Sequence, residues 1–367
     1  MSARTTTLWY TRCPSPSASS IAISGGWLDR AFAGTGITVR SLGSSHDQSL
    51  RQNHFTQLHE ALFRQGGVVP PLWAAASGTP TRLIGVTEVP RFHGLVALPT
   101  SGLGAGGLVG RRIGLPRHTS EPVDFWRAHT WRGIVAALDV VGLDERDVTL
   151  VDLPTEAPYH LGRSSARDAS LWTALEASRL QGPEVLALAR GVVDAIYTYA
   201  PTGLPLIELL GADVVVSLPR SGPGSSGIGG LNVLTVSQQL LDDDLDLVVR
   251  YVGALLDAAS WASKHWTQAL RVFATEEGVA TEWAASSFGE ATSLDLVPRL
   301  EPTLLEALQI EADFLSGRGL IKGPVDVAAW ADDRPLKQAR EQALGLQTAS
   351  PARHLAADIH ELREEIA

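Results

Sequence analysis

Short runs of alternating apolar and polar residues recur along the chain, separated by longer stretches with helical spacing. Leu8-Trp9-Tyr10 opens a strand that reaches Arg12, a Ser/Ala-rich stretch ending near Gly25-Gly26 reads as a helix, and Ile37-Thr38-Val39-Arg40 alternates as a second strand. That order is a β-α-β unit. The same pattern predicts strands over 81–87, 95–98, 112–115, 148–153, 195–198, 214–218 and 232–236, and helices over 124–141, 171–190 and 242–264. Such alternation predicts an α/β protein with mainly parallel sheets.

Two glycine-rich stretches interrupt the rhythm, Ser-Gly-Leu-Gly-Ala-Gly-Gly-Leu-Val-Gly over 101–110 and Ser-Gly-Pro-Gly-Ser-Ser-Gly-Ile-Gly-Gly over 221–230. Their turn-permitting composition marks them as connectors between lobes, and neither has the spacing of a phosphate-binding loop. They divide the chain into a discontinuous first lobe, residues 1–100 plus 232–367, and a second lobe, residues 101–231. Beyond Pro335 the chain reads as charged helices on a solvated arm.

The chain has 367 residues, 44% of them hydrophobic, enough for a full core in two lobes. A formal net charge of −10 argues against a nucleic-acid surface or a polybasic membrane anchor, which leaves a small molecule as the expected partner. No run approaches a membrane span or the apolar core of a signal peptide. A cytoplasmic monomer is the expectation, in a reducing compartment that suits a free thiol.

That thiol is Cys13, the chain's single cysteine, placed where the first strand runs into Pro14-Ser15-Pro16-Ser17. One cysteine forms no internal disulfide, and a thiol beside a helix N-terminus meets unpaired N–H groups that favour its anion. A buried, inert cysteine is the competing reading. His54 can orient a thiol or exchange its proton, and Arg64 can hold an anionic oxygen pair in its planar fork. Gly66-Gly67 adds backbone that a ligand can approach closely. Together these residue types suit an oxyanion substrate.

The segments Trp-Tyr-Thr-Arg-Cys13-Pro-Ser-Pro, Asn53-His54-Phe55-Thr56 and Arg64-Gln-Gly-Gly67-Val-Val-Pro-Pro-Leu resemble the active-site segments of the hydroxybiphenyl sulfinate desulfinases of dibenzothiophene desulfurisation. The resemblance continues through Gly110-Arg-Arg-Ile-Gly-Leu, Val193-Asp-Ala-Ile-Tyr197, Thr235-Val-Ser and Val297-Pro-Arg-Leu300. It implies a two-lobed fold like that of type II periplasmic binding proteins, with a ligand cleft between α/β lobes. It further implies hydrolytic cleavage of the carbon–sulfur bond of an aryl sulfinate, releasing sulfite and the arene, with no metal or organic cofactor. By position, Cys13 matches the essential cysteine, His54 the histidine beside it, Arg64 the sulfinate-holding arginine and Gly67 a backbone donor. Phe55 and Trp131 match apolar surface around the arene. Gln57 and His59 stand where the family carries a tyrosine and a glutamine, so a different aryl or vinyl sulfinate is also compatible.

Two mechanisms fit these residues. Cys13 either protonates the ring carbon as the carbon–sulfur bond breaks, or attacks the sulfinate sulfur as thiolate with His54 as base. A competing function on the same scaffold is a noncatalytic sulfonate, taurine or nitrate receptor, although Cys13 lacks the preceding apolar segment of a lipoprotein signal. A pyrimidine-precursor synthase is a third, without the cysteine-rich iron-binding run expected of it.

Overall fold

The computed structural model describes residues 6–120, 122–156, 181–220, 230–290 and 294–349. One sheet is built from β1 (Thr7–Arg12), β2 (Thr38–Ser41), β3 (Leu62–Gly67), β4 (Thr81–Glu88) and β10 (Leu231–Ser237). The other contains β5 (His93–Ala97), β6 (Arg112–His118), β7 (Thr149–Thr155), β8 (Ala195–Tyr199) and β9 (Asp213–Ser217). The strand orders are β2-β1-β3-β10-β4 and β7-β6-β8-β5-β9. The two orders have the same plan.

Both sheets are mixed, where the sequence pattern predicts mainly parallel ones. β1 runs parallel to β2 and β3, and β6 runs parallel to β7 and β8, as β-α-β turns require. By contrast, β10 is antiparallel to β3 and β4, and β5 is antiparallel to β8 and β9. The reversed strand in each sheet is the one the chain enters after crossing from the other lobe.

Those crossings correct the expected boundaries. Because β5 already belongs to the second sheet, the first crossing lies between Glu88 and His93, not in the 101–110 stretch. That stretch forms short turns inside the second lobe, Pro99–Ser101 and Ala105–Leu108. The other glycine-rich run falls between β9 and β10, with 221–229 outside the described residues. Val89 N–H donates to the carbonyl of Gly230 at 2.6 Å, so the two crossings run side by side.

Under the first sheet, the helix Leu245–Lys264 buries Val248, Tyr251, Val252 and Leu255 against Leu8, Ile21 and Phe63, with Phe63 stacked on Tyr251 at 3.7 Å. The predicted 242–264 helix is split at Asp244, which caps the longer piece by accepting from Leu247 N–H at 3.0 Å. In the second lobe the helix Phe125–Val140 packs Ile134 and Leu138 onto Ile113, Leu115 and Tyr197. Each fully buried Leu or Phe contributes about 1.5–3 kcal/mol. Of the predicted 171–190 helix, Gly182–Ala189 is observed and 171–180 lies outside the described residues. The charged arm begins as the helix Arg334–Ala349, and 350–367 also lies outside them.

Candidate active site

Cys13 stands one residue past β1, and its N–H donates to the Gln65 carbonyl at 3.1 Å, continuing the ladder to β3. Pro14 and Pro16 cannot extend that ladder, and Ser17 caps the helix Ala18–Ser24 by accepting from Ser20 N–H at 3.1 Å. The strand-to-helix turn inferred from the sequence is therefore present. Thr11, Arg64 and Thr235 are register partners across β1, β3 and β10, so their side chains share one face. The short helix Asn53–Thr56 lies over that face, bringing His54 to Thr11 and Arg64.

The three predicted reactive residues meet. Cys13 Sγ lies 3.9 Å from His54 Nε2 and accepts from Arg64 Nη2 at 3.4 Å. His54 Nδ1 is 2.8 Å from Thr11 Oγ1, which holds the ring with Nε2 towards the sulfur. Arg64 is 1% exposed and is locked from behind, donating from Nε to the His54 carbonyl at 3.2 Å and from Nη1 to the Gly67 carbonyl at 3.0 Å. Burial draws its pKa below the ordinary arginine value, opposed by the facing sulfur. Gly66 makes the approach possible. At φ +152 it adopts a conformation that L side chains rarely take, and a Cβ there would come within 2.6 Å of Cys13 Sγ.

Gly67, predicted as a backbone donor, engages Arg64 through its carbonyl, and the space where its Cβ would stand is open. Phe55 is buried among Val68, Val69, Leu72 and Leu83, with its ring edge-on to His54 at 5.0 Å. Trp131 is likewise occupied: its Nε1 donates to Glu145 at 2.6 Å, and the Arg318 guanidinium covers its ring at 4.8 Å. The resemblance implies apolar surface beside the arene for both rings, and here each is engaged by packing or by an ion-paired neighbour. Gln57 is buried with φ +53 and accepts from Thr235 Oγ1 at 2.7 Å, whereas His59 accepts from Ala61 N–H at 3.1 Å.

Sequence reasoning missed the groups around the thiol's other side. Arg91, on the first crossing, donates from Nη2 to Ser15 Oγ at 2.8 Å, and Asn232, at the start of β10, donates to the same oxygen at 3.0 Å. The first crossing and the start of β10 thus both hold the turn that carries Cys13. The Arg91 guanidinium also lies 5.4 Å from the ring of Tyr199, a second-lobe residue that shares an electrostatic neighbourhood with Cys13 and Glu277. Burial raises Glu277 to about 8, with Arg91 pulling it down and Glu276 pushing it further up. Proline-flanked Ser15 and a lone arginine before β5 carry no motif that would reveal this in sequence. Among the described residues, no group of three or more His, Cys, Asp or Glu is placed to hold a metal ion.

No family model matches the chain. The chain is 30% identical to the 2'-hydroxybiphenyl-2-sulfinate desulfinase of Rhodococcus erythropolis over 350 residues, 89% of this chain and 91% of that one. Its structure superposes on the crystal structure of a cysteine-to-serine mutant of DszB in complex with biphenyl-2-sulfinic acid. The TM-score is 0.68 at 28% identity, covering 92% of this chain and 99% of that one. A putative periplasmic sulfonate-binding protein, SsuA of Methylobacillus flagellatus, matches with a TM-score of 0.65 at 14% identity, covering 92% and 95% of the two chains. That likeness is one of fold, and confirms the two-lobed binding-protein architecture. The identity and coverage shared with the Rhodococcus enzyme place the chain in the 2'-hydroxybiphenyl-2-sulfinate desulfinase family.

Proposed function

We propose that this chain is an aryl sulfinate desulfinase, converting an aryl sulfinate and water into the arene and hydrogensulfite. The observation that carries the reading is the buried Arg64 guanidinium, 3.4 Å from Cys13 Sγ, with that sulfur also facing His54 Nε2. A buried cation invites an anion, and the guanidinium fork matches two sulfinate oxygens.

Cys13 acts as proton donor. The thiol proton passes to the ring carbon bearing sulfur, the electron pair of the carbon–sulfur bond forms the new carbon–hydrogen bond, and sulfur dioxide departs. Water hydrates the sulfur dioxide to hydrogensulfite, and the proton released returns through His54 to the Cys13 sulfur. Arg64 supplies one positive charge at the sulfur, enough to balance the sulfinate but not a thiolate beside it. The thiol therefore reacts as an acid, not as a nucleophile. A free thiol in this role suits a reducing compartment, the cytoplasm.

The test is turnover of 2'-hydroxybiphenyl-2-sulfinate in deuterated water with rapid-quench mass spectrometry of the protein. Arene carrying one deuterium at the former sulfur-bearing carbon, with unmodified protein throughout, is the expected result. A Cys13–sulfur dioxide adduct that forms and decays with turnover contradicts the proton-donor role, and absence of arene contradicts the desulfinase reading.

A further inference from the structure

The turn that carries Cys13 has little backbone to hold it. Pro14 and Pro16 have no N–H, so between Cys13 and Ser17 only Ser15 keeps a main-chain donor, and the place of the thiol depends on side chains. Those side chains converge on Ser15. Its carbonyl accepts from Ser20 Oγ at 3.3 Å, and its hydroxyl accepts from Arg91 Nη2 at 2.8 Å and from Asn232 Nδ2 at 3.0 Å. Asn232 Nδ2 also donates to the Pro16 carbonyl at 3.0 Å. Ser15, Ser20, Arg91 and Asn232 are all buried.

Of these anchors Arg91 is the charged one, and it reaches the turn from the crossing between Glu88 and His93. A hydrogen bond from a guanidinium is stronger than one between neutral groups. What fixes the guanidinium lies in both lobes. It packs 5.4 Å from the ring of Tyr199, at the end of β8 in the second lobe, and 5.9 Å from the ring of Phe288, at the end of the helix Thr281–Phe288 in the first. Opposing charge comes from Glu277, 2% exposed at the end of the helix Trp266–Glu277, whose attraction to Arg91 counters the burial that raises its pKa.

We propose that Arg91 is a positioning residue for the reaction: acting through Ser15, it fixes the turn so that the Cys13 sulfur stays between Arg64 and His54. Because Tyr199 and Phe288 hold its guanidinium, the packing of both lobes sets the place of the thiol. The effect on turnover rests on the desulfinase reading, whereas the effect on the thiol's position does not. A reacting sulfur displaced by a fraction of an ångström keeps the substrate bound but loses alignment, so the loss falls on kcat and not on KM.

The test compares the full chain with Ser15→Ala, with Arg91→Met and with the two combined, using sulfite release from 2'-hydroxybiphenyl-2-sulfinate. Each single substitution is expected to lower kcat about tenfold with KM within about twofold, and the combined variant to lose no more than the worse single one. Unchanged kcat, a loss carried by KM, or losses that multiply in the combined variant overturn the proposal. Should Arg91→Met leave Glu277 unbalanced and fail to fold, Arg91→Met/Glu277→Gln removes both charges and takes its place; Ser15→Ala disturbs neither. A second readout needs no turnover. With a single cysteine in the chain, carbon-13 at the cysteine β-carbon gives one NMR signal, expected sharp in the wild type and broadened or doubled in Ser15→Ala and Arg91→Met. A signal as sharp in both variants as in the wild type overturns the proposal. Broadening in the variants with no sulfite from the wild type supports the positioning role while refuting the desulfinase reading.

Discussion

The 2.8 Å contact between Thr11 and His54 Nδ1 decides which edge of the imidazole meets the sulfur. Thr11→Val keeps the shape and removes the hydroxyl, so the ring loses its anchor while Cys13 and Arg64 stay in place. Sulfite production is expected to fall in kcat by about tenfold with KM little changed, as for the loss of one orienting hydrogen bond. Steady-state kinetics check this, and unchanged kcat would mean that other contacts of His54 position its ring without Thr11. At this scale the sequence was informative about chemistry: a lone cysteine, a histidine and an arginine were singled out, and the fold brings them within 4 Å of one another. It was uninformative about aromatic residues. Phe55 and Trp131 carry the composition of a pocket wall, but whether such a ring faces ligand or core depends on neighbours distant in the chain, such as Arg318 for Trp131.

Among the elements, β3 is the instructive omission. Leu62-Phe63-Arg64-Gln65-Gly66-Gly67 does not alternate apolar and polar residues, because Arg64 and Gln65 are both buried, one facing the site and the other accepting from Ser19 N–H at 2.9 Å. The strand that departs from the pattern is the one that carries the candidate site, as expected where function overrides local consistency. Other elements follow local rules closely. Asp244 begins the helix Leu245–Lys264 with a side-chain cap, a role visible in the Asp-Asp-Asp-Leu run only once the break is known. Asp244→Ala is expected to cost about 1 kcal/mol of unfolding free energy, measured by urea denaturation, and to leave turnover per folded molecule unchanged. A loss well below this would show that packing alone holds the helix start.

For the whole molecule, α/β character was legible from the strand-helix rhythm, and the two lobes from the family resemblance. The direction of β5 and β10 and the first crossing at 88–93 were not, since strand order and direction depend on pairings far apart in sequence. Burial of neutral His93 and His129 in the second lobe has a global consequence. Their folded pKa values, about 4 and about 3, lie below the ordinary value of 6.5, so below pH 6.5 the unfolded chain binds protons that the folded one refuses. Stability contributed by these rings is complete above that pH and is lost as pH falls towards 4 and then 3. Urea midpoints between pH 7 and pH 5 should therefore fall less steeply in a His93→Gln/His129→Gln protein than in the wild type; equal slopes would show that the rings carry no such linkage. The central claim is cleavage of an aryl sulfinate at Cys13, and sulfite release from 2'-hydroxybiphenyl-2-sulfinate by wild type and Cys13→Ser tests it most directly. The account predicts one sulfite per arene from the wild type and none above background from the folded variant. Equal sulfite release by the two proteins, or none from the wild type, would contradict it.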